Sequence, residues 1–510
     1  MMSQPKFYYY YVDVKMYNFA SLRSPRIDAS REPADTGSGR ASGRASRSQP
    51  LGRAVRQRVP RSALAVSWAW MPMAPPRMEH IRQPRSGAVR VHVYNASQFL
   101  MYTRCRHLQP SELSPDGHSV DFFFVRAVNE LSRLGRKVGD SEDGHGGRMR
   151  SEHTTAAREA APPLPVVHAV SPERAELFVI PVMCSQSAQG RCGGCSRHTE
   201  HVRQLQRWLN GSHWYQRRGG ADHLIVCDKY SSVGEVRRAL PKVIIGRYEH
   251  LAGWSKYALA RVRTRTISVG YATTAGTVCS PAPPPIAPES RRYDIMSQMG
   301  TKPRPYGPST GFRDVYARRR DLWCDWLDIM PPSARPANLL VSSPDANSCH
   351  TNASMAWMAG KANGDAHSLR CRAHHQDYAM STICAGLATQ RDSRAVVSFC
   401  GDTPTTIRIF NAFATESIIL APDKELPMLL AILPFRSAIP WRNIIRPVPT
   451  DRFDRAPVQT LTDVAKNESL LDREATLALM RRHRADVLWD VPGSRAYLHL
   501  IREAAFFDRT

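Results

Sequence analysis

The chain has no run of 18 apolar residues, the least that reads as a membrane-crossing helix. The nearest stretch, residues 63–76 (ALAVSWAWMPMAPP), follows basic residues but is broken by Pro72, and suits at most the core of a signal sequence. Acidic residues are short against basic ones, 45 to 70, leaving a net charge of +25. Polyanions such as nucleic acid and sulfated or acidic glycans therefore stand among the expected partners. Cysteines form no regular framework: there are 11, widely spread, so at least one thiol stays unpaired and a small disulfide-stapled module is excluded. The sequence lacks interleaved basic and aromatic residues and any nucleic-acid module in its folded part, so no specific nucleic-acid partner is expected beyond what a basic tail could hold. What is present is ample for folding: 510 residues, 42% apolar and 23% charged, enough for two or three domains.

The charge is uneven. Residues 1–90 carry 16 Lys or Arg against 5 Asp or Glu, and Arg40, Arg44, Arg47, Arg53, Arg56, Arg58 and Arg61 sit among Gly, Ser, Ala and Pro. Residues 1–88 therefore read as a disordered basic tail: an arm for nucleic acid, an organelle transit peptide, or a solvated extension with no specific role. Cys184, Cys192 and Cys195 precede His198 and His201, but Cys-Gly-Gly-Cys-x-x-His is too cramped for the usual second zinc ligand pair. Loop disulfides or free thiols fit better. Asn95, Asn210, Asn352 and Asn467 each open an Asn-x-Ser sequon, as a secretory-pathway protein would.

From Val89 the texture is that of a layered α/β protein. Val89, Val91 and Val93 alternate with polar residues as a strand does, Ser119 can cap a helix carrying Phe122, Val125, Val128 and Leu131, and ELFVIPV over residues 176–182 reads as a buried strand. A helix over 198–210, strands over 223–227 and 242–246, and the loop 136–159 complete a first unit, residues 89–280. Residues 281–336, rich in Pro and Arg, read as a linker with a short helix near 315–327. A second unit over 337–510 contains strands at 338–343, 395–400 and 418–422 and closes with helices at 472–487 and 494–505. Two such units form a cleft, where ligands bind.

The segment with most chemistry is the strand AVVSFC, the turn Gly401-Asp402-Thr403-Pro404-Thr405-Thr406, and a helix opening at Ile407-Arg408-Ile409-Phe410. Orphan N–H groups and the macrodipole at such a helix start favour an anion, and Arg408 one turn on can grip a diphosphate with two bonds. The plainer reading is Asp402 or Thr403 as an N-cap with no ligand.

This signature, with Asn411-Ala412-Phe413 after it, Asp423, Leu433-Pro434-Phe435 and Pro440-Trp441, resembles the exostosin family of glycosyltransferases (glycosyltransferase family 47). Three N-terminal blocks agree in order: Val91-His92-Val93-Tyr94, the stretch 171–181 (SPERAELFVIP), and the stretch 214–223 (WYQRRGGADH). The resemblance spans about residues 89–455. It implies a GT-B architecture of two Rossmann-like domains and an inverting transfer of a sugar from a nucleoside diphosphate sugar, a UDP-sugar, to a glycan or glycoprotein acceptor. It implies a Golgi or endoplasmic reticulum protein held at the membrane, working without metal or other cofactor. Gly401, Asp402, Thr403, Thr405, Thr406, Arg408 and Asn411 match the donor side. Asp222 and His223 are the candidates for the catalytic base, or else they order their loop. Ile407 replaces an expected Arg, Asn411 an expected acid, and Thr415-Glu416-Ser417-Ile418-Ile419 stands for Gly-Cys-Ile-Pro-Val. Charge-assisted bonds are worth about 1.5–3 kcal/mol each, so an inactive glycan-binding member is the alternative these departures leave.

Overall fold

The computed structural model describes residues 88–113, 117–139, 167–193, 197–248, 265–277, 279, 285–298, 317–326, 336–342, 376–399, 405–467 and 470–507. The basic segment 1–87, including residues 63–76, and most of the expected 136–159 loop lie outside them.

The first sheet opens with Val89–Val93 (β1), whose even alternation of buried and less buried positions is that of a strand covered on one side by a helix. That helix is Val120–Gly139 (α1), longer than the apolar periodicity suggests. Val167–Ala169 (β2), Leu177–Val179 (β3), a short helix Cys184–Ala188 (α2) and His198–Gly211 (α3) follow. His223–Val226 (β4), Tyr230–Ala239 (α4), Ile244–Arg247 (β5) and Thr266–Ser268 (β6) complete it. All pairings are parallel, in the order β2-β1-β3-β4-β5-β6. Strands β3, β4 and β5 are buried at every position, as a parallel sheet with helices on both faces requires.

The second sheet consists of Tyr293–Gln298 (β7), Leu339–Ser342 (β8), Ser393–Val397 (β9), Ile418–Pro422 (β10) and Ile445–Val448 (β11), parallel and in the order β11-β10-β9-β7-β8. Among its helices are Ala317–Cys324 (α5), Gln376–Arg391 (α6), Ile407–Thr415 (α7), Leu470–Val487 (α8) and Ala496–Phe506 (α9). Residues 281–336, expected as a linker, therefore contain β7, a strand flanked on both sides in the sheet. Its sequence, YDIMSQ, buries only its middle three residues and has too little apolar alternation to stand out between Pro-rich neighbours. Both sheets share one topology: the second strand lies outside the first and the third pairs with the first strand's other edge. Each sheet thus has a switch point, between β1 and β3 and between β7 and β9, where the crevice at the strands' carboxyl ends can hold a ligand.

The described residues all belong to one compact unit. A single apolar core runs from Val91, Val179 and Leu224 of the first sheet through Tyr271, Phe410 and Trp489 to Val396, Ile419 and Leu420 of the second. Phe178, Ile180, Ile225 and Ile245 face the other side of the first sheet. Each such side chain contributes about 1.5–3 kcal/mol, against about 0–1 kcal/mol for an exposed ion pair such as Arg133–Glu130; burial decides the fold. The last helix does not stay with the second sheet. α9 packs on β1, β2, β3, β6 and α1, and the Arg265 guanidinium lies 5.3 Å above the Phe507 ring at its end.

Candidate functional site

Helix α7 starts where the sequence predicts, but its cap is different. Thr406 is the N-cap, extended in backbone, and its Oγ1 accepts from the Arg408 N–H at 3.1 Å. Gly401, Asp402 and Thr403 lie outside the described residues. The turn they belong to joins the carboxyl end of β9 to α7, and β9 flanks the switch point of the second sheet. Thr405 is buried, and Arg408 is half-buried in the first turn of the helix. Arg319 was not foreseen. It comes from α5 in the supposed linker, is 6% exposed, and donates to the Phe399 carbonyl at the foot of the turn at 2.9 Å. A guanidinium carries five N–H donors in a planar fork that matches the geometry of a phosphate or carboxylate. Its only sequence signal was a run of three arginines, 318–320.

The face of α7 with Ile407, Phe410 and Asn411 meets the chain leaving β6. At Gly117, whose φ is +78°, a Cβ would stand 2.8 Å from Ile407 Cδ1 and 2.9 Å from the Ala272 carbonyl oxygen, so only glycine lets the two sheets approach there. Tyr271 and Phe410 rings lie 5.6 Å apart. Asn411, matched to the donor side, accepts on Oδ1 from the Thr274 N–H at 3.0 Å and is buried. Trp489 Nε1 donates to the Val269 carbonyl at 2.6 Å. Asp490 accepts from the Thr273 N–H at 3.1 Å and also from its hydroxyl. Burial pushes the Asp490 carboxyl up to about 6.

Asp222 and His223 lie elsewhere, at the amino end of β4. His223 is fully buried: Nδ1 is 2.8 Å from Asp222 Oδ1, Nε2 is 2.9 Å from the Tyr94 hydroxyl, and the ring stacks on Phe178 at 4.8 Å. Arg217 donates to Asp222 Oδ2 at 2.8 Å. Burial alone would raise the Asp222 carboxyl, but hydrogen bonds from His223 and Arg217 outweigh it and hold it below its usual value. Burial lowers His223, with Asp222 opposing, and raises Tyr94 to about 12. Both ring nitrogens of His223 are occupied, and the network ties β1, the 214–222 loop and β4 together.

A second carboxyl pair stands at the opposite, carboxyl ends of the strands. Asp121 and Asp228 are both wholly buried. Asp121 Oδ2 accepts from the Ser185 and Gln186 N–H groups at the start of α2 (2.7 and 3.3 Å), and Asp228 Oδ2 from the Val120 N–H at the start of α1 (3.1 Å). Asp121 thus caps α2 and Asp228 caps α1, and the Ser185 hydroxyl donates to Asp228. Burial raises both carboxyls, Asp121 further through repulsion from Asp228. Ser119, expected as the α1 cap, stands immediately before the helix: its carbonyl accepts the Phe122 N–H at 3.2 Å, and its hydroxyl accepts from Gln186 Nε2 at 3.4 Å.

Six cysteines among the described residues pair over long range. Cys105–Cys192, Cys184–Cys227 and Cys279–Cys384 are disulfides. Cys184 and Cys192, two of the possible zinc ligands, therefore have different partners. Among the described residues no group of three or more His, Cys, Asp or Glu is placed to hold a metal ion, and no helix is long and apolar enough to cross a membrane. A groove of about 360 Å³ lies between α3 and α4. Its polar groups are largely spent on each other, Thr199 donating to Glu235 at 2.9 Å and Gln206 to the Ala239 carbonyl at 3.0 Å. No family model matches the chain, and no curated protein matches it.

Proposed function

We propose that the chain is an exostosin-type glycosyltransferase of GT-B architecture that takes a sugar from a UDP-sugar and passes it, with inversion, to a glycan or glycoprotein acceptor. The observation that carries this reading is topological. The signature turn that resembles the family's donor motif follows the strand flanking the switch point of the second sheet and feeds the N-terminus of α7, with Arg408 in the helix and Arg319 beneath the turn. A diphosphate leaving group needs such amides and guanidiniums, because they stabilise the charge that develops as the bond breaks. Two parallel sheets of the same strand order, with a last helix packed on the first of them, suit a GT-B arrangement. Three disulfides, and sequon residues Asn95, Asn210 and Asn467 exposed at the surface, suit passage through the endoplasmic reticulum and residence there or in the Golgi. Asn352 lies outside the described residues.

The test is to incubate the purified full chain with a panel of radiolabelled nucleotide sugars and follow release of the sugar. Turnover from at least one donor, lost in Arg408→Ala, is expected; no release from any donor, and no change on that substitution, sinks the reading. The non-catalytic, glycan-binding alternative is favoured by one observation: Asn411 is committed to Thr274 rather than open to a donor. Calorimetric titration with UDP bears on it, since UDP binding is expected only where the turn still cradles phosphate.

A further inference from the structure

Resting on the transferase reading, we propose that His118 is the general base that takes the proton of the acceptor hydroxyl. The observation is a juxtaposition across the seam between the sheets. His118 follows Gly117, the residue pressed against Ile407 at the first turn of α7, so it lies one residue from the helix that opens the signature turn. Its imidazole packs on Tyr248 at 4.4 Å and Tyr271 at 5.5 Å, rings that follow β5 and β6 at the carboxyl edge of the first sheet. Tyr271 in turn contacts Phe410 of α7. A chain of tilted ring contacts therefore spans from the imidazole to the donor-side helix.

His118 is also fixed in place. Its carbonyl accepts from Gln186 Nε2 at 3.1 Å and Gln189 Nε2 at 3.0 Å, and the residue is half-buried, unlike the sealed His223. Two residues on, the Val120 N–H donates to the buried Asp228 carboxyl at 3.1 Å, which anchors the backbone beside the ring. The step balances: the acceptor oxygen forms a bond to the anomeric carbon, the bond from that carbon to the diphosphate oxygen breaks with its electron pair leaving on the diphosphate, and the acceptor proton moves to the imidazole and later to solvent.

The experiment compares wild type, His118→Ala and His118→Gln as full chains, measuring sugar transfer with the donor found active and UDP affinity by calorimetry. Both variants are expected to bind UDP as wild type does, which also reports folding, while kcat falls about 10²–10⁴-fold. Added imidazole is expected to restore part of the turnover of His118→Ala, which a merely structural role would not permit. Turnover of either folded variant within about threefold of wild type overturns the assignment and leaves the transferase reading standing. Turnover lost together with UDP affinity in both variants also overturns it, because His118 would then be holding the donor side rather than moving a proton. A wild type inert toward every donor overturns both.

Discussion

Asn411 Oδ1 accepts the Thr274 N–H at 3.0 Å, a hydrogen bond between the donor-side helix and the chain that leaves the first sheet. Both partners are buried, so the bond cannot be replaced by water without opening the seam. Asn411→Leu leaves that N–H orphaned and is expected to cost about 1–3 kcal/mol of unfolding free energy. Denaturant titration measures it, and an unchanged midpoint would show that the two halves do not depend on this bond. Asn411→Asp keeps an acceptor and restores the acid expected from the family resemblance; it should retain more stability than Asn411→Leu.

The buried Tyr94–His223–Asp222–Arg217 chain gives the sequence-nominated base a structural task, and the two roles respond differently to Tyr94→Phe. Removing the hydroxyl strips a hydrogen bond from His223 Nε2 while leaving the imidazole present. The expected outcome is a loss of about 1–3 kcal/mol in stability with transfer activity per folded molecule unchanged. A large fall in kcat at unaltered stability would instead place His223 in the chemistry.

Strands were legible where apolar residues ran unbroken. Val89–Val93 and Ile418–Pro422 are found where the pattern places them, the first alternating because one face is buried and the second apolar throughout because both faces are. β7 and β11 were not legible: YDIMSQ and IRPV place polar residues or proline at positions whose burial is set by neighbours far away in sequence. The donor turn could be read because its residues are contiguous. Arg319 and the Asp121–Asp228 pair could not, since parallel crossovers bring their members together from positions as far apart as 319 and 399, or 121 and 228. Asp222 and His223, adjacent in sequence, drew attention for that reason and are buried in a fold-holding network.

The disulfides enclose long stretches of chain, with sequence separations of 87, 43 and 105. On the chain-entropy account, closing a loop near 100 residues is worth about 4.7 kcal/mol. The double variant Cys279→Ser, Cys384→Ser is therefore expected to lower the thermal midpoint more than a typical single core substitution. Cys184–Cys227 lies beside Ser185 and Asp228, so its loss should also disturb the capping of α1 and α2. Differential scanning with and without reductant checks both; a midpoint indifferent to reductant would mean that the thiols are not paired in the folded protein.

Glu503 sits on α9, the helix that returns to the first sheet, and burial pushes its carboxyl up to about 7, with Arg436 partly opposing. The unfolded value is about 4.3, so the folded state binds the extra proton between these limits. This group's contribution to stability is full below the unfolded value and is lost as pH rises through about 7. Glu503→Gln, fixed in the uncharged form, should therefore be more stable than wild type at pH 8, with the advantage shrinking toward zero near pH 4. Denaturant midpoints across that range test the sign. A variant less stable than wild type at pH 8 would mean that the ionised carboxylate has a compensating partner, and that α9 is held to the first sheet by charge as well as by Leu500 and Ile501.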